Sequence, residues 1–93
     1  MTTRADRIRH AIETRFAPAE ILVRDDSAQH AGHAGARPGG ETHYHVLVVS
    51  PAFRGLSRVA RSRAVHEALA AEFASGLHAL ALTLRTPEEA AAR

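Results

Sequence analysis

The chain has 93 residues and a mass of 10.0 kDa, so we treat residues 1–93 as a single domain. Cysteine is absent, which excludes disulfides, thiol catalysis and all-cysteine metal sites. All twelve basic residues are arginines, but ten acidic residues leave a formal net charge of only +2, so the overall charge argues weakly for a nucleic-acid partner. No apolar run approaches the roughly 20 residues of a membrane span, and no export signal opens the chain. We therefore expect a cytoplasmic protein without a membrane partner, and the Ala and Arg usage indicates a GC-rich bacterial genome.

The first half of the chain predicts one helix and two strands. A capping-box spacing that begins at Thr3, followed by an apolar residue at every fourth position, predicts a helix that ends at Pro18. Residues 20–25 predict a short strand. Residues 41–50 predict the strongest strand, and its apolar residues of both parities are typical of a central position. Residues 26–40 hold four of the six glycines and predict a long loop.

The second half predicts a helix, a strand and a final helical turn. Ser57 is suited to the N-cap of a helix that runs to about Ser75, and Gly76 is suited to its end. Residues 77–85 alternate between two faces, as expected of a strand. Pro87 begins the last helical turn.

This element order predicts an α+β fold. The first two strands should pair antiparallel across the long loop, and the second and third, which a helix joins, should form a right-handed parallel crossover. We expect a three-stranded mixed sheet with helices packed on one face.

Histidine is over-represented, with seven residues, and five of them cluster. His30 and His33 lie in the predicted loop, His43 and His45 begin the second strand, and His78 begins the third. Because neighbouring parallel strands start at the same end of a sheet, His30 or His33, His43 and His78 can converge there.

Convergence leaves several roles open for these histidines. His43 is suited to a structural hydrogen bond, His30 and His33 to polar positions of a loop, and His78 either to a ligand or to a hydrogen-bonded edge position. Imidazoles alone could hold zinc or copper, whereas an iron–sulfur cluster would need thiolates from a partner. No nucleophile–base pair, carboxylate pair or phosphate-binding glycine loop is evident, so we do not expect an enzyme.

A group of arginines surrounds the start of the second predicted helix. Arg54, Arg58 and Arg61 follow each other at spacings of four and three, and Arg63 is close by. The group is either a solvated face or an edge that contacts phosphates.

From about Ile8 to Pro87 the chain resembles the BolA family. The resemblance lies in the segments Leu22-Val-Arg-Asp-Asp-Ser27, His30-Ala-Gly-His33, Glu41-Thr-His-Tyr44, Val48-Val-Ser-Pro-Ala-Phe-Arg-Gly55, Arg61-Ser-Arg-Ala-Val65, Gly76-Leu-His-Ala-Leu-Ala81 and Thr86-Pro87. It implies an αββαβ fold similar to the class II KH domain, in agreement with the predicted element order.

The resemblance implies an adaptor of iron–sulfur cluster assembly and trafficking that shares a 2Fe–2S cluster with a monothiol glutaredoxin. The glutaredoxin and glutathione would supply the thiolates, the isolated protein would hold no cofactor, and the free protein would be a monomer or a weak dimer. By motif, His78 matches the family's C-terminal cluster ligand and His30, three residues after Ser27, matches the loop ligand. His33 is an alternative to His30, and His43 is expected to support the site.

Members of the family are also described as DNA-binding transcriptional regulators of stress response and cell morphology. This alternative would use Arg54, Arg58, Arg61 and Arg63. Two departures count against it: the usual Arg-His-Arg is here Arg-Ser-Arg at residues 61–63, and the Gly-x-x-Gly loop of nucleic-acid-binding KH domains is absent.

Overall fold

A computed structural model of the protein describes residues 2–26 and 42–92. Nearly all of the predicted loop 26–40, with His30 and His33, lies outside the described residues. In chain order the elements are α1 (Arg4–Phe16), β1 (Glu20–Asp25), β2 (His43–Val49), a 3-10 turn (Pro51–Phe53), α2 (Arg58–Ala68), α3 (Ala70–Ala74), β3 (Ala79–Arg85) and α4 (Pro87–Ala91). None of the helices found in these residues is long and apolar enough to cross a bilayer.

The three strands form one mixed sheet in the order β1-β2-β3. β1 pairs antiparallel with β2, placing Glu20 opposite Val49. β2 pairs parallel with β3, placing His43 opposite Ala79. The predicted fold class, strand order and pairing directions are therefore confirmed.

The core lies between the sheet and the first two helices. Every second residue of β2 from Tyr44 to Val48 is buried, because successive side chains of a strand point to opposite faces. These residues belong to one buried cluster with Ile8 and Ile12 of α1 and Val65 of α2. On the opposite face of the sheet Leu22 is 65% exposed.

The predicted single helix from Ser57 to Ser75 is wrong in one respect, because it breaks at Leu69. This residue leaves helical geometry (φ −104°, ψ 14°) and separates α2 from α3. Its side chain is 1% exposed, and its N–H donates to the carbonyls of Val65 and His66 at 3.0 and 3.2 Å. The Leu69 N–H is thus shared between the i−4 and i−3 carbonyls, as is common at a helix end, while its side chain packs in the core.

A buried ion pair joins the start of α1 to α3. Arg4 donates through Nη1 to Glu72 Oε1 at 2.9 Å and to the Glu72 carbonyl at 3.0 Å. Arg7 donates through Nε to Glu72 Oε2 at 3.0 Å. The Arg4 and Glu72 side chains are only 10% and 11% exposed, so each charge depends on the other for compensation.

A second ion pair, which is bidentate, joins α2 to α4. Arg61 donates to Oε1 and Oε2 of Glu89 at 2.6 and 3.1 Å, and also to the Leu84 carbonyl at 3.2 Å. Hydrogen bonds from Arg61 are the largest cause of a lowered pKa of the Glu89 carboxyl, which falls from 4.5 to about 2. The Thr86 N–H, which donates to Glu89 Oε1 at 2.9 Å in the capping box, lowers this pKa further. The C-terminal helix is thus held by an interaction that requires an ionised Glu89.

Replacing Glu72 with Gln should destabilise the domain by about 3 kcal/mol, because the buried Arg4 charge loses its counter-ion. Urea unfolding followed by circular dichroism measures this loss. The matched control is Glu67→Gln, which removes an exposed pair with Arg15 at 3.6 Å and should change the stability by less than about 0.5 kcal/mol. Equal effects of the two substitutions would contradict the role of the buried pair.

Glu89→Gln should remove part of the acid sensitivity of the domain. Because the pKa of folded Glu89 is depressed, its contribution to stability is present above pH 4.5 and disappears as the pH falls towards about 2. The variant should therefore be less stable than the parent protein at pH 7, and the difference should shrink between pH 4.5 and 2. Urea midpoints measured at several pH values test this, and a constant difference down to pH 2 would contradict it.

Candidate functional site

Three chain segments meet at one end of the sheet, where β1 ends and β2 and β3 begin. The Thr42 carbonyl accepts hydrogen bonds from the N–H groups of His78 and Ala79 at 2.8 and 3.0 Å. On the other side of β2, the Asp26 N–H donates to the His43 carbonyl at 2.7 Å. Asp26 and Thr42, the described residues that flank the segment containing His30 and His33, both lie at this site.

His78 reaches this end of the sheet through a helix-terminating turn. Gly76 adopts φ +125°, which favours glycine, and the Leu77 N–H donates back to the Glu72 carbonyl at 2.9 Å. Leu77 is buried at 4% exposure and anchors the turn in the core. β3 begins at Ala79 rather than at the predicted residue 77, so His78 is the last residue of the turn, with its backbone held by Thr42 and its side chain exposed.

His43 and His78 form a pair of neighbouring rings. Their centroids are 5.2 Å apart and the ring planes are inclined by 51°. His43 is 7% exposed, and its Nδ1 lies 2.9 Å from Thr42 Oγ1. His43 is thus a buried, hydrogen-bonded histidine that supports one side of His78, while His78 presents its imidazole to solvent.

His45 lies on the same strand but makes different contacts. Its Nε2 is 3.1 Å from Thr83 Oγ1, and its Nδ1 is 3.4 Å from Arg24 Nη2. These contacts place it among the polar groups of the two neighbouring strands.

Metal ligands do not assemble within residues 2–26 and 42–92. No group of three or more His, Asp or Glu side chains among them could hold a metal ion. A histidine-only zinc or copper site would therefore require residues beyond this part of the chain or a second protein. His30 and His33 are not described, so their proximity to His78 stays a prediction.

Of the four arginines predicted to contact phosphates, two are bonded to carboxylates in the structure and two are not. Arg61 is 7% exposed and is bonded to Glu89, while Arg54 donates through Nε to Glu88 at 2.8 Å. Arg54 precedes α2 and does not share its face.

Arg58 and Arg63 are exposed, and neither forms an ion pair with any described residue. Sequence reasoning missed the carboxylate partners of the other two arginines. The two glutamates that follow Thr86 and Pro87 in the sequence were the one local indication that carboxylates are available to these arginines.

Comparisons with known proteins identify the family. The sequence profile described as BolA-like protein matches residues 12–89. The chain is 43% identical over 88 residues to "Protein BOLA1, chloroplastic" of Arabidopsis thaliana, covering 92% of this chain and 55% of that protein. It is 45% identical over 91 residues to "SufE-like protein 1, chloroplastic/mitochondrial" of the same plant, covering 94% and 24%. It is also 41% identical over 90 residues to "UV-induced protein uvi31" of Schizosaccharomyces pombe, covering 92% and 88%.

Solved structures agree with the sequence comparisons. The BolA domain of SufE1 from Arabidopsis thaliana superposes with a TM-score of 0.84 at 44% identity, covering 96% of this chain and 98% of that one. BolA1 from the same plant also gives a TM-score of 0.84, at 41% identity and with 96% and 97% covered. The chain spans little more than half of the first curated relative and about a quarter of the second. The matched profile and the shared fold together place this chain in the BolA-like protein family.

Proposed function

We propose that this protein is an adaptor of iron–sulfur cluster assembly and trafficking that shares a 2Fe–2S cluster with a monothiol glutaredoxin. The observation that carries the proposal is His78, an exposed imidazole on a backbone held by the Thr42 carbonyl. Membership of the BolA-like family supports the proposal, and the SufE-like name of one relative points in the same direction.

The donor chemistry of the site fits a ligand set completed by a partner. Neutral imidazole nitrogens ligate the irons of some 2Fe–2S clusters, whereas thiolates hold the remaining positions. This chain has no cysteine, so the glutaredoxin and glutathione would supply the thiolates and the cluster would be shared cargo. Because His78 is exposed, its imidazole is accessible to a partner protein.

The proposal assigns separate roles to the other histidines. His43 positions the ring of His78 through their 5.2 Å contact and does not bind the cluster itself. His30 supplies the second imidazole, and His33, three residues later, can replace it. Three further expectations stay predictions: that the protein is not an enzyme, that its free state is a monomer or weak dimer, and that it is cytoplasmic. Two relatives carry chloroplastic or chloroplastic/mitochondrial names.

His78→Ala should abolish the spectral change that follows addition of the protein to a cluster-loaded monothiol glutaredoxin with glutathione. The unsubstituted protein should give a change in visible absorption and circular dichroism that saturates at a one-to-one ratio, because an imidazole replaces one ligand. The titration is done under anaerobic conditions. The thermal unfolding curve of the variant should stay close to that of the parent, because the exposed side chain contributes little packing.

The matched control is His10→Ala, which removes an exposed histidine of α1 and should leave the titration unchanged. A full spectral change with His78→Ala would exclude His78 from the site. In the same titration, His30→Ala and His33→Ala should each have a partial effect if the two can replace each other. Complete loss from both single variants would contradict that replacement.

The unpaired Arg58 and Arg63 support nucleic-acid binding as a second candidate function. Both lie exposed on α2, five residues and therefore about 140° apart around the helix, and the neighbouring Val59 is 63% exposed. Arg54 and Arg61 already bind carboxylates, so two arginines of the original four are available for phosphates. We infer that any regulatory role on DNA would rest on a small electrostatic contact.

Duplex DNA binding by the free protein should show a weak dependence on salt. Two phosphate contacts predict a slope of log K against log salt concentration of about −1.8, whereas four would give about −3.6. Fluorescence anisotropy with a labelled duplex over a range of salt concentrations measures the slope. A slope near −3.6 would show that Arg54 and Arg61 exchange their carboxylates for phosphates, and no binding at low salt would remove this candidate.

A further inference from the structure

β3 is an edge strand with unpaired backbone groups on its outer side. The Ala79 N–H donates to Thr42 and the Arg85 carbonyl accepts from Ser50, so the odd-numbered residues of β3 face β2. In a parallel ladder the backbone groups of the intervening residues point away from the partner strand. The N–H and carbonyl groups of Leu80 and Leu82 therefore point outward, and neither residue has a backbone partner there within the described chain.

A groove follows this free edge. Helix α2 lies alongside β3 and presents Arg58, Ser62 and His66, which are four residues apart and so share one helix face. Together with Leu80 and Leu82 they line an open groove of about 320 Å³. The groove has a helix on one side and a row of strand hydrogen-bonding groups on the other.

The charges along the groove are cationic. Arg58 lines it from α2 and Arg85 from the end of β3, and neither forms an ion pair with a described residue. His66 Nδ1 is 2.8 Å from the Ser62 carbonyl, so this ring is hydrogen-bonded within its own helix. No carboxylate is among the described residues that line the groove.

The same features favour a polypeptide over a nucleic acid. The outward backbone groups recur at every second residue, which is the spacing of hydrogen bonds to an added β-strand. Proteins that bind single-stranded nucleic acids without sequence preference instead combine a basic groove with rings on which bases stack. The one ring lining the groove, that of His66, is already stacked on Phe73 at a centroid distance of 5.4 Å.

We propose that this groove binds an acidic, extended segment of a partner protein as an additional strand beside β3. The backbone of the segment pairs with Leu80 and Leu82, and its carboxylates contact Arg58 and Arg85. The edge pairing supplies affinity, and the cations select acidic sequences. This binding mode does not depend on the cluster function proposed for His78, and it can be tested without a cluster.

The test uses a fluorescein-labelled peptide of about ten residues in which valine and glutamate alternate. It should bind the full chain saturably, and a peptide of alternating valine and lysine should not. The double variant Arg58→Glu, Arg85→Glu should weaken binding at least about tenfold, because each reversal replaces attraction with repulsion. The matched control is Arg63→Glu, which reverses an exposed charge of α2 outside the groove and should leave the affinity nearly unchanged.

Hydrogen exchange followed by NMR locates the bound peptide. Slower exchange of the Leu80 and Leu82 amides on binding is expected, because strand addition places them in a new ladder. Protection confined to other amides would overturn the proposal, as would a dissociation constant weaker than about 1 mM or equal weakening by Arg63→Glu. A single-stranded DNA can be tested as a competitor of the peptide. If it displaces the peptide, and its own binding depends on both Arg58 and Arg63, the surface is a nucleic-acid site instead.

Discussion

The hydrogen bonds from His78 and Ala79 to the carbonyl of Thr42 are the constraint on which both surfaces of this protein depend. They begin the parallel ladder between β2 and β3. At the other end of the ladder the Ser50 N–H donates to the Arg85 carbonyl at 3.0 Å. A slip of one residue would turn the core-facing leucines of β3 to the opposite face, so burial fixes this register strongly. The same register places His78 beside His43 and leaves the backbone of Leu80 and Leu82 on the outer edge.

Several of the arginines form ion pairs that join elements of the fold to one another. Arg4 and Arg7 bind Glu72, which holds α3 against the start of α1, and Arg61 binds Glu89, which holds α4. Long planar guanidinium groups suit such bidentate and multiple contacts better than lysines do. The calculated basicity of the chain therefore overstates the positive charge that it offers to a partner.

The two proposed surfaces share strand β3 but differ in chemistry. At its start, the turn at Gly76 presents the imidazole of His78, a ligand that needs thiolates from elsewhere. Along its outer edge, backbone groups and unpaired arginines are suited to an acidic peptide. A partner that bound at both places would contact one continuous strip of the molecule, although neither surface requires the other.

Local sequence patterns determined the elements, because capping residues, apolar spacing and alternation act within a few residues. They predicted the sheet, its pairing directions and the place of His43 and His78 at one end of it. They did not predict the break at Leu69, a buried residue that packs with residues distant in the sequence. Nor could they show that Arg61 is bound to Glu89, 28 residues away, or that His43 is buried while His78 is exposed. Those differences in partner and burial arise only from long-range packing, which decides which of several chemically equivalent side chains remain available to another molecule.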